Sequence, residues 1–205
     1  MTVGEPTIRL ESGETAIIGY GSLLSVKSLE KTLTRDYDGP FIPCRIDGWR
    51  RSWDIAMPNQ MFFYVENGER IYPENILYLN VRPEATSLMN CIVFVVRSAE
   101  LEAMHQREWI YHHPNVADRL RGVRLEGGEA LMYVAKPEYI LRNVSNPRHA
   151  AVRASYLRIL EDGLGQRDPA FRAEYEKTTD PVPAHLVIED VLDPSRRLDA
   201  QAGRA

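Results

Sequence analysis

Cysteine is scarce in this chain of 205 residues, where Cys44 and Cys91 are the only two. They stand far apart and in no metal-binding or redox spacing, which excludes a disulfide framework or a cysteine-rich zinc site. Each reads as a small core residue in a reducing compartment. Lysine is nearly as sparse, confined to Lys27, Lys31, Lys136 and Lys177, and the arginines are scattered rather than grouped. With a net charge of −4 and a pI near 5.8, the chain has no basic stripe of the kind a general nucleic-acid binder needs. Long apolar runs are missing too; Cys91 to Val96 is among the longest and is far too short to span a bilayer. The first residues carry no basic-then-apolar signal pattern. A cytoplasmic protein with no nucleic-acid or membrane partner is the expectation. The chain contains no internal repeat and no glycine- or serine-rich linker. With 44% hydrophobic residues it has enough apolar material for one domain over residues 1–205, its core at about 15–190. Residues 193–205 are polar and aperiodic and read as a mobile tail.

What the chain does have is an apolar strand running straight into a glycine-rich turn, Ile17-Ile18-Gly19-Tyr20-Gly21-Ser22-Leu23-Leu24. Glycines there allow positive φ and close approach of a ligand to the backbone, and successive free amides form a concavity suited to an anion. A tight strand-to-helix connection with no ligand is the competing reading. Three familiar motifs fail on spacing. A Walker loop would follow its second glycine with Lys-Ser/Thr, where Ser22-Leu23 stands. A dinucleotide fingerprint needs a glycine at Leu24. A nucleophile elbow needs glycines where Tyr20 and Leu24 flank Ser22, so Ser22 does not read as an acyl-enzyme nucleophile.

Around this turn the pattern predicts a strand over residues 15–20 and a short helix over 25–35. A strand-rich stretch follows at 42–55, 60–65, 76–81 and 88–96, punctuated at Met57-Pro58-Asn59, Asn67-Gly68, Pro73 and Pro83. Ser98 reads as the N-cap of a helix reaching about Trp109 or Tyr111. Residues 118–125 and 129–135 read as a hairpin across Gly127-Gly128. Asn146-Pro147 is expected to open a helix bearing Val152, Tyr156, Ile159 and Leu160 and ending at Gly163, and Asp168-Pro169 to open another.

The helix from Ser98 carries an unexpected carboxylate. Leu101, Met104, His105 and Glu108 follow the i, i+3, i+4, i+7 pattern, which puts Glu108 on the stripe that should face the core. Glutamate is rarely buried unless it is paired or used. Three readings stay open: a solvated residue, a structural salt bridge to an arginine, or a general acid/base whose pKa is raised by a partly apolar pocket. His105, His112 and His113 cluster in sequence but show no His-Glu-x-x-His spacing, and no metal or cofactor is expected.

Together, Tyr20-Gly21-Ser22-Leu23 after a strand, Arg107-Glu108 near a helix end, Tyr133-Val134-Ala135 on a strand, and a late helix with Tyr156 and Gly163 resemble the γ-glutamylcyclotransferase-like superfamily. The resemblance spans residues 15–178 and rests on the order of four short motifs. It departs from the family's pattern at Met104 and His105, where leucine and aspartate are common. Leu23 after the serine is closer to the branch acting on glutathione than to members with asparagine there. The resemblance implies an α+β fold, a mixed-sheet β-barrel flanked by helices. It also implies a cavity between the loop and the helix glutamate, with Glu108 as catalytic acid/base and Tyr20, Gly21, Ser22, Leu23 and Tyr133 as substrate-binding residues. The implied substrate is a small γ-glutamyl amine or peptide. Such a compound carries its own nucleophile, the α-amine, so closure to 5-oxoproline needs neither a serine nor a metal. A ligand-binding protein that keeps the pocket without turnover remains the alternative.

Overall fold

The computed structural model describes residues 4–196. Its main sheet has seven strands: β1 (Glu14–Gly19), β2 (Phe41–Pro58), β3 (Asn75–Arg97), β4 (Leu120–Arg121), β5 (Ala130–Met132), β6 (Ala150–Arg153) and β7 (Val187–Ile188). Helices α1 (Val26–Leu33), α2 (Ser98–Arg107), α3 (Ala154–Gly165) and α4 (Pro169–Lys177) accompany it. The class is α+β with a mixed sheet, as the resemblance implies. Strand β3 organises the assembly. Its C-terminal half pairs antiparallel with β1, from Glu14↔Arg97 to Gly19↔Ile92, and β2 pairs antiparallel along both halves of β3. Strand β5 adds parallel to β1, and β6 adds parallel to the start of β3 with β7 beside it.

Pro83, read as a strand break, lies inside the 23-residue β3. It sits where the β2–β3 register shifts, between Asp47 and Trp49, so the missing N–H falls at an irregularity in the ladder. Strand β1 reads as unbroken apolar sequence because both its faces are covered: Ile17 packs toward the helices, while Ala16 and Ile18 face the opposite cluster. Cys44 and Cys91, remote in sequence, are directly opposite across β2 and β3, with free sulfurs 3.4 Å apart in the core.

Two expectations fail for the same reason, since tertiary pairing overrides local pattern. Residues 118–125 and 129–135 do not pair as a hairpin. Arg124–Glu126 instead joins Thr7–Arg9, and β5 joins β1, both in parallel. Residues 150–153 are strand rather than helix, because Val152 completes the sheet beside Leu77. Helix α3 therefore starts at Ala154, and Ile159, expected on its inner face, is 36% exposed. Gly163 does not end α3, which runs to Gly165. A Cβ there would lie 2.9 Å from Leu24 C and Ser25 N, so the glycine allows α3 to seat against the turn after β1. Asp168 caps α4 as expected, accepting the Phe171 N–H at 2.8 Å.

No helix among the described residues is long and apolar enough to cross a membrane. Of the segment read as a tail, residues 197–205 lie outside the described residues. Asp193 accepts the Tyr72 hydroxyl at 2.6 Å and Arg196 lies over the Tyr72 ring.

Candidate active site

The turn after β1 is shaped by close approach rather than by unusual φ. Neither Gly19 nor Gly21 has positive φ, contrary to one reason for expecting glycine there. A Cβ on Gly19 would fall 2.8 Å from Leu23 O, and one on Gly21 would fall 3.2 Å from the Tyr156 hydroxyl. Ser22–Leu24 then form a single 3-10 turn, closed by Leu24 N–H to Gly21 O at 2.9 Å. Among the described residues the amides of Gly21, Ser22 and Leu23 make no hydrogen bond, leaving a row of free donors. Ser25 ends the turn and caps α1, its hydroxyl accepting the Ser28 N–H.

Arg51 holds this turn from below. Fully buried on β2, its Nε donates to Tyr20 O at 2.9 Å and its other nitrogens reach Thr178 Oγ1 and the carbonyl of Asn90. Its guanidinium lies 4.0 Å from the Tyr175 ring centroid. Burial lowers the Arg51 pKa, and carbonyl dipoles and a ring face stand in for a carboxylate partner. Nothing in the spacing around Arg50-Arg51 distinguishes this arginine from the half-buried Arg50 beside it.

Glu108 arrives from the other side, though not as its helical spacing implies. Helix α2 stops at Arg107, and Glu108 is its C-cap with φ −98° and ψ 33°. Within the expected stripe only Met104 is fully buried. The cap turns the Glu108 side chain into a cavity lined by Tyr20, Gly21, Ser22 and Leu23 from the loop, and by Tyr133 from the segment after β5. The structure thus brings together all six residues singled out from the sequence. Ile18, Leu79, Tyr111 and Tyr156, not singled out as site residues, complete the walls. Tyr156 had the signature of a core-facing helical residue, and Tyr111 follows the helix end without any periodic signal. The cavity is narrow, about 30 Å³.

The Glu108 side chain is 14% exposed, with Oε1 2.9 Å from Arg107 Nε. Burial raises its pKa, and the charge and hydrogen bond of Arg107 offset this only in part. Two of the open readings therefore meet in one residue, an ion pair to an arginine and a carboxyl held up by desolvation. Arg107 is also a clamp. Its Nη1 donates to Ser28 O at 3.0 Å and Thr32 Oγ1 at 2.6 Å, and its Nη2 donates to Ser22 Oγ at 2.8 Å and Ser28 Oγ at 3.2 Å. One guanidinium thus fixes Glu108, the loop serine and α1 relative to one another.

The tyrosines are neutral donors. Burial is the main cause raising the pKa of Tyr20, Tyr111, Tyr133 and Tyr156, with the Glu108 charge adding to it. Tyr20 donates its hydroxyl to Tyr133 O at 2.6 Å, joining the loop to the strand segment opposite. Tyr133 Oη is 3.0 Å from His105 Nδ1, and the His105 ring stacks on His113 at 4.0 Å. Burial, then the proximity of His113, lowers the His105 pKa. The assembly offers a carboxyl with a raised pKa, unpaired backbone amides on residues lining the same cavity, and walls of neutral tyrosine rings.

No family model matches the sequence, and no curated protein matches it. Solved structures do resemble the fold. A γ-glutamyl cyclotransferase superposes with a TM-score of 0.51 at 11% identity, covering 94% of this chain and 99% of that one. An uncharacterized protein from Homo sapiens gives 0.50 at 11% identity, with coverage of 84% and 91%. YkqA from Bacillus subtilis gives 0.53 at 11% identity over 81% of this chain, which spans 54% of YkqA. The chain has a γ-glutamylcyclotransferase-like fold.

Proposed function

We propose that this protein is a γ-glutamylcyclotransferase-like enzyme that converts a γ-glutamyl amine or peptide to 5-oxoproline and the free amine. The carrying observation is a largely buried carboxyl, its pKa held up by burial, lining one cavity with the residues of a glycine-rich turn whose amides make no hydrogen bond among the described residues. In this reading Glu108 takes a proton from the substrate α-ammonium. The freed amine attacks the γ-carbonyl, and the oxyanion that forms is held by N–H groups of Gly21, Ser22 and Leu23. The bond to the leaving nitrogen then breaks as the Glu108 carboxyl returns the proton to it, and the carboxylate so regenerated accepts the second proton of the ring nitrogen, leaving the lactam N–H and the free amine. No covalent enzyme intermediate forms and no metal enters. Tyr20 and Tyr133 orient the substrate, and holding it folded supplies much of the acceleration. The narrow cavity implies that its tyrosine walls give way as the γ-glutamyl group enters.

The test is mass-spectrometric detection of 5-oxoproline from a panel of γ-glutamyl amines, γ-glutamyl peptides and glutathione. Enzyme-dependent release from any member supports the reading and names the leaving group. Saturable binding without release from every member overturns it in favour of a ligand-binding protein.

A further inference from the structure

A second, much larger cleft of about 680 Å³ opens beside the C-terminal half of β2. Its floor is Asp54, whose side chain is only 10% exposed. The two carboxylate oxygens of Asp54 are used unequally. Oδ1 accepts the Ser52 hydroxyl at 2.7 Å and Asn80 Nδ2 at 2.9 Å, which fixes the group in the sheet. Oδ2 meets only Arg142 Nε, at 3.4 Å, and Arg142 is 64% exposed. Placement of that arginine is not accidental. The Leu141 N–H donates to Asp54 O at 2.8 Å and Ile140 bridges Ile55, so the backbone just before Arg142 is tied to β2 at the carboxylate. Among the described residues Arg142 Nη1 and Nη2 have no hydrogen-bond partner. Trp53, Leu77, Leu141 and Leu186 supply apolar walls around this charge pair.

A fixed carboxylate with one under-used oxygen, adjacent to an exposed guanidinium whose two terminal nitrogens have no hydrogen-bond partner among the described residues, matches a ligand whose own opposite charges are one carbon apart. We infer that this cleft binds a free α-amino acid as its zwitterion. The ammonium lies on Asp54 Oδ2, the carboxylate bridges Arg142 Nη1 and Nη2, and an apolar side chain lies against Trp53 and the leucines. A simple amine satisfies only the aspartate and a simple acid only the arginine. The cleft also adjoins the Glu108 cavity. Trp53 packs edge-on against Tyr156 with ring centroids 6.2 Å apart, and Asn80 Oδ1 accepts the Ala135 N–H at 3.0 Å, two residues beyond Tyr133. An amino acid is what a γ-glutamyl amino acid would release, a link that rests on the proposed function; binding in the cleft does not.

The experiment is calorimetric titration with L-leucine, 3-methylbutylamine and 4-methylpentanoate. The last two are leucine without its carboxylate and without its ammonium. Wild type should bind L-leucine, with each analogue at least about tenfold weaker. Arg142→Met, an exposed change, should weaken L-leucine at least about tenfold, and Glu108→Gln should leave it unchanged. Asp54→Asn should lose binding while its circular dichroism stays native; if it unfolds, Arg142→Met decides. The proposal is overturned by no L-leucine binding up to about 10 mM, by an Arg142→Met affinity equal to wild type, by an analogue binding as well as leucine, or by loss of binding in Glu108→Gln. Leucine binding without 5-oxoproline release from any γ-glutamyl compound would remove the proposed reaction and leave the cleft site standing.

Discussion

Glu108→Gln separates catalysis from structure because it nearly conserves volume while removing the titrating group. Breaking a buried ion pair outright costs roughly 3–5 kcal/mol when it strands the remaining charge. Here Arg107 is not stranded. It keeps its four hydrogen bonds to Ser22, Ser28 and Thr32, and the glutamine oxygen can still accept from Nε at the 2.9 Å separation of the present pair. What is lost is attraction to a carboxylate for which burial outweighs that attraction, since the Glu108 pKa stays above its ordinary 4.5 despite the arginine. The change in unfolding free energy at neutral pH should therefore stay within about 1 kcal/mol, the net worth of one hydrogen bond. The pH dependence has a definite sign. With a folded pKa above the unfolded one, the native state binds more protons between the two values. The stability Glu108 contributes is complete below the unfolded pKa and is lost as pH rises through the folded pKa, so this slope should vanish in the glutamine variant. Turnover should fall by about two to four orders of magnitude, or roughly 3–5 kcal/mol of barrier. The assay is 5-oxoproline release and the urea midpoint across pH 4–8 on both proteins. An active variant that has lost several kcal/mol would show Glu108 to be a structural ion-pair partner and refute the mechanism.

Arg107→Met removes the charge that lowers the Glu108 pKa, so the acidic limb of the kcat/KM profile should move to higher pH. An unmoved limb would mean that Glu108 is not the titrating base. Tyr20→Phe deletes the hydroxyl that donates to the buried Tyr133 carbonyl at 2.6 Å, at a cost of about 1–3 kcal/mol in urea unfolding; an unchanged midpoint would show that the carbonyl finds another donor. Gly163→Ala sets a Cβ 2.9 Å from the backbone of Leu24 and Ser25 and should destabilise by about 1–3 kcal/mol. Wild-type stability there would show α3 free to move away from the turn.

Legibility from sequence followed how local each signal was. The strand-to-turn run at Ile17 to Leu24, the Asp168-Pro169 cap and the residue range of β2 depend on neighbours along the chain and could be read. The partners of Arg124–Glu126 and Ala130–Met132 could not, because Gly127-Gly128 serves an antiparallel hairpin and a turn between two separately paired strands equally well. Val152 and Gly163 were misjudged for a related reason. Val152 satisfies a helical pattern locally and Gly163 a helix-stop signal, yet the first is claimed by the sheet and the second lies inside α3, where it allows the close seat on the turn after β1. Arg51 left no sequence signal at all, since its role depends on carbonyls contributed by Tyr20 and Asn90.

The geometry of Glu108 shows why a stripe argument can reach the right cavity by an inexact route. Periodicity assumed that the helix continues through residue 108 and points the carboxyl at the core. The helix instead ends one residue earlier, and the cap conformation swings the side chain beneath the tyrosines. That ending carries a chemical consequence that periodicity did not contain. The C-terminus of a helix presents unpaired carbonyls and a partial negative charge, which disfavours a nearby carboxylate. Burial works in the same direction, so both push Glu108 toward its protonated form. Arg107, one residue back, works against them while gripping Ser22 on the opposite wall. In the proposed reaction a carboxyl whose pKa is raised by burial and restrained by Arg107 is better suited to take up and return a proton than a solvated glutamate on the same helix. On this account the side-chain charge at position 107, more than the exact pitch of α2, sets the working pH of the site.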